Sequence, residues 1–181
     1  MKKTHFIIFL CFLAGCGYHR LDHAPKSVPW AVNGETISLG TIYNNTKQGG
    51  LEDIFKKAVE NRIITSSPWK LTAYGSGSRW ILQGAIVSYE ARPLGLNLRA
   101  GQAQGAAGSA SRIEIIIMAS LQLLDGKTGA LVADKPHLTF RNQYQVDQNF
   151  ASFDSRELQI IESLADDFAV SFLTQLLEGH D

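Results

Sequence analysis

Alternating apolar and polar positions predict a series of strands along the chain. The clearest strand covers residues 112–124, in which every second position from Ile113 to Leu123 is apolar. A loop with two glycines follows at 125–129 and predicts a hairpin to the next strand. The other predicted strands are 36–43, the short 69–74, 79–89 and one that begins at Ala130.

The alternation also assigns side chains to the two faces of each strand. A strict period of two places Tyr43 on the same side of its strand as Leu39. The same rule places Tyr89 on the side opposite Trp80 and Leu82.

Two segments change to the spacing of three and four residues that is typical of amphipathic helices. The first begins at Leu51 and ends before Pro68, because the residue before a proline avoids helical geometry. The second begins near Asp154 and ends before Gly179. Its predicted apolar stripe consists of Leu158, Ile161, Leu164, Ala165, Phe168, Phe172 and Leu176.

The order of these elements predicts an α+β fold. Two helices with one apolar stripe each cover only one face of a sheet of this size, so we expect a two-layer sandwich. Its sheet is mixed and mostly antiparallel, with four or five strands. The second face of the sheet is left for water or a partner.

Residues 92–111 break the pattern. Three leucines are followed by a run of Gly, Ala, Gln and Ser that has no period. A segment of this composition buries too little apolar surface to offset the entropy of ordering it, so it predicts a mobile loop.

The N-terminus has the parts of a secretory signal peptide: Lys2 and Lys3, then a short apolar run, then small residues. Leu13-Ala14-Gly15-Cys16 looks like the lipobox of bacterial lipoproteins, in which the cysteine receives lipid and becomes the first residue. An ordinary signal peptide with a chance cysteine is the alternative, which the complete match disfavours. We therefore predict a removed signal peptide at 1–15, lipidated Cys16 with a flexible tether at 16–30, and one domain at 31–181.

Charge and cysteine content exclude some classes of partner and of chemistry. After removal of residues 1–15 the chain has 15 basic and 17 acidic residues, so no basic excess indicates a nucleic-acid partner. Cys11 leaves with the signal peptide and Cys16 carries lipid, which leaves no thiol for a disulfide, a metal or catalysis. The aspartate that commonly retains lipoproteins in the inner membrane is absent at Gly17. This sorting rule predicts the outer membrane.

No catalytic constellation is present in the sequence. The histidines that follow Cys16 are scattered at 19, 23, 137 and 180, and the acidic residues of the last helix lie opposite its apolar stripe. The chain also lacks the common hydrolase, metalloprotease, phosphate-loop and dinucleotide signatures. We therefore expect a protein that is not an enzyme and has no metal or cofactor beyond the covalent lipid.

A group of basic residues is the sharper indication of binding. Arg92, Arg99 and Arg112 lie in or beside the predicted loop. Lys135 and Arg141 lie on the strand that pairs with its outgoing strand. Arginine suits bidentate contact with phosphate. Ordinary solubilising charges are the alternative for each residue, so the grouping at one end of the sheet carries the prediction.

Together these segments resemble the LptE family of lipopolysaccharide-assembly lipoproteins. The resemblance rests on their order along the chain, since each is a weak signal alone. They are Cys16-Gly17-Tyr18-His19, residues 37–46 ending in Asn44-Asn45-Thr46, the helix from Leu51, Trp80-Ile81-Leu82-Gln83-Gly84 with Tyr89, the 112–129 hairpin and the long last helix. The bland stretch 100–111 departs from the family.

The resemblance implies a plug and assembly partner for the large outer-membrane β-barrel LptD. The lipoprotein would sit on the periplasmic side and in the barrel lumen, bind lipopolysaccharide and help deliver it to the outer leaflet. Arg99, Arg112, Arg141 and Lys135 are its candidate lipopolysaccharide contacts.

Two other classes remain open from the sequence. An auxiliary lipoprotein of another envelope transport or secretion complex could share the fold, since fold does not determine function. A periplasmic hydrolase is the weaker alternative and would need a deep polar cleft with perturbed carboxylates.

Overall fold

A computed structural model describes residues 28–97, 109–145 and 153–178 of the chain. Five strands and two helices form within these ranges. Along the chain they are β1 (Thr36–Asn44), α1 (Leu51–Ser66), β2 (Lys70–Thr72), β3 (Trp80–Asn97), β4 (Ser109–Asp125), β5 (Leu131–Gln145) and α2 (Phe153–Glu178).

The strands form one open sheet in the order β2-β1-β3-β4-β5. β1 is parallel to both of its neighbours, whereas β3, β4 and β5 form a long antiparallel meander. The entry end of the sheet is defined by Thr36, Trp80 and Asp125, and the distal end by Asn97, Ser109 and Gln145. The meander therefore reaches far beyond the parallel part of the sheet.

Both helices contribute their apolar stripes to a single core against the same face of the sheet. Phe168 of α2 lies at its centre, with ring centroids 5.2 Å from Phe55 of α1 and 5.6 Å from Phe140 of β5. Opposite them, β4 contributes Ile115, Ile117 and the following odd-numbered positions, all nearly or completely buried. This packing confirms the predicted two-layer α+β sandwich, with a mixed sheet of five strands.

Both flanks of the predicted loop at 92–111 are strand in the structure. β3 continues to Asn97 and β4 begins at Ser109, so both flanks of the predicted loop are paired strands. Pairing across the two strands supplies the backbone hydrogen bonds that composition alone did not indicate. Residues 98–108 lie outside the described part of the chain.

Two β-bulges overturn the predicted positions of the two tyrosines. A shift in register between Leu39 and Ile42 turns Ile42 into the core and leaves Tyr43 59% exposed. A second shift between Ile86 and Ser88 brings Tyr89 opposite the buried Ile117, on the core side of the sheet. One extra residue in a strand reverses the face of every residue after it.

Tryptophans fix the polypeptide at the entry end. The indole N–H of Trp30 donates to the backbone oxygen of Leu176 at 3.0 Å, and that of Trp69 donates to the backbone oxygen of Trp30 at 2.8 Å. A third indole, on Trp80, donates to the Glu35 carboxylate at 2.6 Å. The segment that precedes β1 is thereby held between the ends of α1 and α2.

Asp125 organises the β4–β5 hairpin at the same end. Its carboxylate accepts hydrogen bonds from the backbone N–H groups of Lys127 and Thr128 and pairs with the Arg79 guanidinium. These contacts, the backbone N–H groups first, lower the pKa of Asp125 from its ordinary value of 3.8 to about 2.

We predict that the stabilising effect of Asp125 disappears in acid. A depressed folded-state pKa contributes stability that is present above the unfolded value and is lost as the pH falls through the folded value. The difference in unfolding free energy between wild type and Asp125→Asn should therefore shrink between about pH 4 and pH 2. Urea titrations at several pH values would measure it, and a constant difference would contradict the assignment.

We also predict that Gly84→Ala destabilises the domain. A methyl group at Gly84 would lie 2.3 Å from the backbone oxygen of Ser120 and 2.5 Å from the Leu121 side chain. Because the backbone of the neighbouring strand cannot move aside, we expect a loss of roughly 1–3 kcal/mol in unfolding free energy. Gly49→Ala is the matched control, since nothing lies within 4 Å of that position. Equal stability of the two variants would refute this account.

Candidate partner-binding surface

The candidate surface is the sheet face that the helices leave uncovered, called the open face below. Directly opposite residues in paired strands project to the same side, so the register assigns its members. On β4 the open face carries Arg112, Glu114, Ile116, Met118, Ser120, Gln122 and Leu124, since the alternate positions from Ile115 to Leu123 are buried in the core.

Near the distal end, the open face carries three rows of side chains across the meander. The rows, in the order β3, β4, β5, are Glu90-Ile116-Arg141, Arg92-Glu114-Gln143 and Leu94-Arg112-Gln145. Arg112 and Arg141 therefore lie on neighbouring strands and the same face, four residues apart in register. At about 3.4 Å per residue their Cα atoms are separated by roughly 14 Å.

The arginines of this region differ in how they are neutralised. Arg92 donates two hydrogen bonds, of 2.6 and 2.7 Å, to the Glu90 carboxylate. This pairing lowers the pKa of Glu90 and raises the pKa of Arg92, so both groups are held in their charged forms. Arg112 and Arg141 are exposed and have no ion-pair partner within the described ranges. These two guanidinium groups are thus available to an anionic ligand.

The other two predicted contacts have different positions. Lys135 lies opposite the buried Leu121, so it belongs to the helix side of the edge strand, and it makes an interaction of its own. The structure therefore separates Lys135 from Arg112 and Arg141 by the thickness of the sheet. Arg99 falls at 98–108, outside the described residues.

Apolar side chains lie on the same open face, from the row of Arg141 toward the entry end. Tyr43 and Val87 are 59% and 37% exposed, and Ile116 and Met118 are half-buried. Tyr43 was missed as a surface residue because the bulge in β1 reverses its side. The arrangement of cations beside an apolar strip suits a ligand or partner that is itself amphiphilic.

A hydrogen bond fixes the start of α2 against the distal half of the sheet. The hydroxyl of Tyr89 donates to the Glu157 carboxylate at 2.5 Å, and burial together with this carboxylate raises the pKa of Tyr89 well above its ordinary value. A groove of about 450 Å³ lies beside this bond, lined by Leu51, Ile54 and Leu158 among others.

The described residues offer no centre for metal binding. Within 28–97, 109–145 and 153–178, no three acidic, histidine or cysteine side chains converge in a way that could hold a metal ion. In the same ranges, neither helix has the length and apolar character needed to cross a membrane. Cys16, His19 and His23 precede these ranges.

Fold and surface together define an α+β sandwich that has helices on one face of its sheet and a candidate binding surface on the other. The model of the LptE family, described as lipopolysaccharide-assembly, matches residues 34–176 of this chain. The chain belongs to the LptE family. This family consists of lipoproteins that act in lipopolysaccharide assembly without enzymatic activity or a known cofactor.

Solved structures share the fold at low sequence identity. A lipoprotein B from Nitrosomonas europaea is 17% identical with a TM-score of 0.55 and covers 81% of this chain and 84% of its own. The rare lipoprotein B from Shewanella oneidensis is 16% identical with a TM-score of 0.50, covering 78% and 93%. The PelC dodecamer from Paraburkholderia phytofirmans is 14% identical with a TM-score of 0.54, covering 82% and 92%. No curated protein matches the chain.

We predict that Tyr89→Phe destabilises the domain by about 1–2 kcal/mol, because it leaves the Glu157 carboxylate without its phenolic donor. Tyr43→Phe is the matched control and should change the unfolding free energy by less than about 0.5 kcal/mol, since Tyr43 is mostly exposed. Urea denaturation of both variants would measure the difference. Similar values for the two would show that the Tyr89–Glu157 bond does not stabilise the fold.

Proposed function

We propose that this lipoprotein is a plug and assembly partner of the outer-membrane β-barrel LptD and helps deliver lipopolysaccharide to the outer leaflet. The observation that carries the proposal is the open face, which bears the unpaired Arg112 and Arg141 and, nearer the entry end, exposed apolar side chains. Membership of the lipopolysaccharide-assembly family supports it.

The proposal includes the predicted processing of the N-terminus. Removal of residues 1–15 and lipidation of Cys16 would hold the protein at the periplasmic side of the outer membrane. Two or more acyl chains make such an anchor lasting, whereas one gives only reversible binding. The domain would then enter the barrel lumen from that side.

The dimensions of the domain suit a position inside a barrel. Along β3, fourteen residues separate Trp80 at the entry end from Leu94, which lies opposite Arg112. At about 3.3 Å per residue this distance is roughly 45 Å, close to the thickness of a bilayer with its headgroups. A domain oriented along the membrane normal would thus carry Arg112 across the membrane from its entry end, with Arg141 roughly 14 Å nearer to that end.

The arginines suit the phosphate groups of a glycolipid. A guanidinium presents a planar fork of donors that matches phosphate oxygens. Apolar neighbours such as Ile116 and Val87 could contact the acyl chains of the same molecule. Arg99 and Lys135 remain candidate contacts, although Lys135 would have to act from the helix side of the edge strand.

Purification from native membranes tests the partnership. Tagged, lipidated protein extracted in mild detergent should bring down one large outer-membrane barrel in a near one-to-one ratio, identified by mass spectrometry. Recovery without a barrel, or with inner-membrane transport subunits, would contradict the proposal.

Substitution of the arginines tests the ligand. Arg112→Gln with Arg141→Gln should lower the amount of bound lipopolysaccharide at least about tenfold, since one charge-assisted hydrogen bond contributes ~1.5–3 kcal/mol. Lys127→Gln is the control, because Lys127 is an exposed cation at the opposite end of the sheet. An equal effect of Lys127→Gln would indicate nonspecific charge attraction instead of a site on the open face.

An auxiliary lipoprotein of another envelope complex is the second candidate. The fold similarity to PelC, which was solved as a dodecamer, favours it. A stable ring of identical subunits in light scattering of the purified chain, together with no barrel in the membrane purification, would support this alternative.

A further inference from the structure

The entry end of the domain is where the lipid anchor joins the fold. Trp30 is held between α2 and Trp69, and the backbone N–H of Gly34 donates to the oxygen of Pro68 at 2.9 Å. Because these bonds fix the first described residues, the chain from Cys16 must reach the domain at this end. The anchor therefore restricts which surface of the domain lies near the bilayer.

Three large apolar side chains are exposed around this end. Val32 is 49% exposed in the segment that leads into β1, Ile64 is 66% exposed in the last turn of α1, and Leu131 is 55% exposed at the start of β5. All three belong to segments that begin or finish at the entry end. Such side chains partition into the interfacial region of a bilayer when they are brought to it.

The charges of the entry end do not oppose such a contact. Two of its carboxylates are engaged within the fold, Glu35 by the indole of Trp80 and Asp125 by the hairpin amides and Arg79. Asp134 and Glu178 are exposed near the same end. Lys70 and Lys127 are exposed there and can approach anionic headgroups. The exposed cations and carboxylates of this end are therefore equal in number, so its charge does not repel an anionic bilayer.

The length of the chain outside the structure makes even a weak contact effective. Residues 16–27 separate the predicted lipid attachment from the fold, and a chain of this length spans at most about 40 Å. A short linker raises the local concentration of the attached surface to the millimolar range. A surface that would not bind membranes by itself can therefore be in contact for much of the time.

We propose that the entry end, through Val32, Ile64 and Leu131, rests on the lipid bilayer that holds the acyl chains of Cys16. On a bilayer without the barrel, this contact holds the domain upright, with its distal end away from the membrane, instead of leaving it to tumble on the tether. The inference rests on the lipidation of Cys16 given in the proposed function, but it requires no barrel.

A pair of single-cysteine variants tests the contact. Lipidation blocks the thiol of Cys16 and Cys11 is removed, so an introduced cysteine is the free thiol of the mature chain. Leu131→Cys at the entry end and Leu158→Cys at the start of α2 replace leucines that are 55% and 46% exposed. Each variant would carry an environment-sensitive nitrobenzoxadiazole dye. The lipidated chain would then be placed in vesicles of phosphatidylethanolamine and phosphatidylglycerol.

The dye at 131 should shift to shorter emission wavelength and lose roughly half of its fluorescence to doxyl-labelled lipid, as expected for a millimolar-range contact. The dye at 158 should behave as it does in solution. Aqueous behaviour at both positions would overturn the proposal. Equal quenching at both would overturn it as well, because the domain would then lie flat or tumble.

A second variant separates contact from mere proximity. Val32→Ser with Ile64→Ser should at least halve the quenching at 131 while thermal unfolding stays cooperative, since both side chains are largely exposed. Unchanged quenching would overturn the role of these side chains. The proposed function has its own readout: mass spectrometry of the mature N-terminus shows whether Cys16 is lipidated, independently of where the dyes lie.

Discussion

Burial of one sheet face beneath two helices is the constraint on which the remaining features of this protein depend. Phe168 joins the two layers, because it contacts Phe55 of one helix, Phe172 of its own and Phe140 of the edge strand. Two helices are enough to cover one face of a five-stranded sheet but not both. Within the described residues the other face is therefore left uncovered by the architecture itself.

Two β-bulges decide which side chains lie on the open face. Bulges in β1 and β3 shift the period, so that Tyr43 faces outward while Tyr89 turns inward to bind Glu157. Bulges also bend strands and increase their twist, which lets a long meander follow two helices. The same breaks that place an aromatic residue on the open face thus lock α2 in position behind it.

The two ends of the domain differ from each other, as its two faces do. Its entry end gathers the three tryptophans, the neutralised carboxylates and the chain that leads to the predicted lipid. Its distal end carries Arg112 and Arg141, without ion-pair partners among the described residues. The end where the chain enters the fold and the end that carries the arginines are thus separated by the length of the strands.

The sequence by itself determined the fold class and the family, because both follow from the order of elements and their local periods. The stripe from Ile161 to Leu176 and the alternation from Ile113 to Leu123 specify a buried side without reference to any partner strand. It also predicted Arg112 and Arg141 as candidate contacts, since alternation shows where charged residues lie along a strand.

Tertiary structure decided what depends on register. Whether Lys135 shares a face with Arg141 is set by pairing with β4, and the residues that flank 98–108 become strand only because each has the other to bond. A bulge leaves no mark in a hydrophobic pattern, because one inserted residue looks like ordinary variation until its partner strand is known. Local period is a property of a segment, whereas register is a property of a pair.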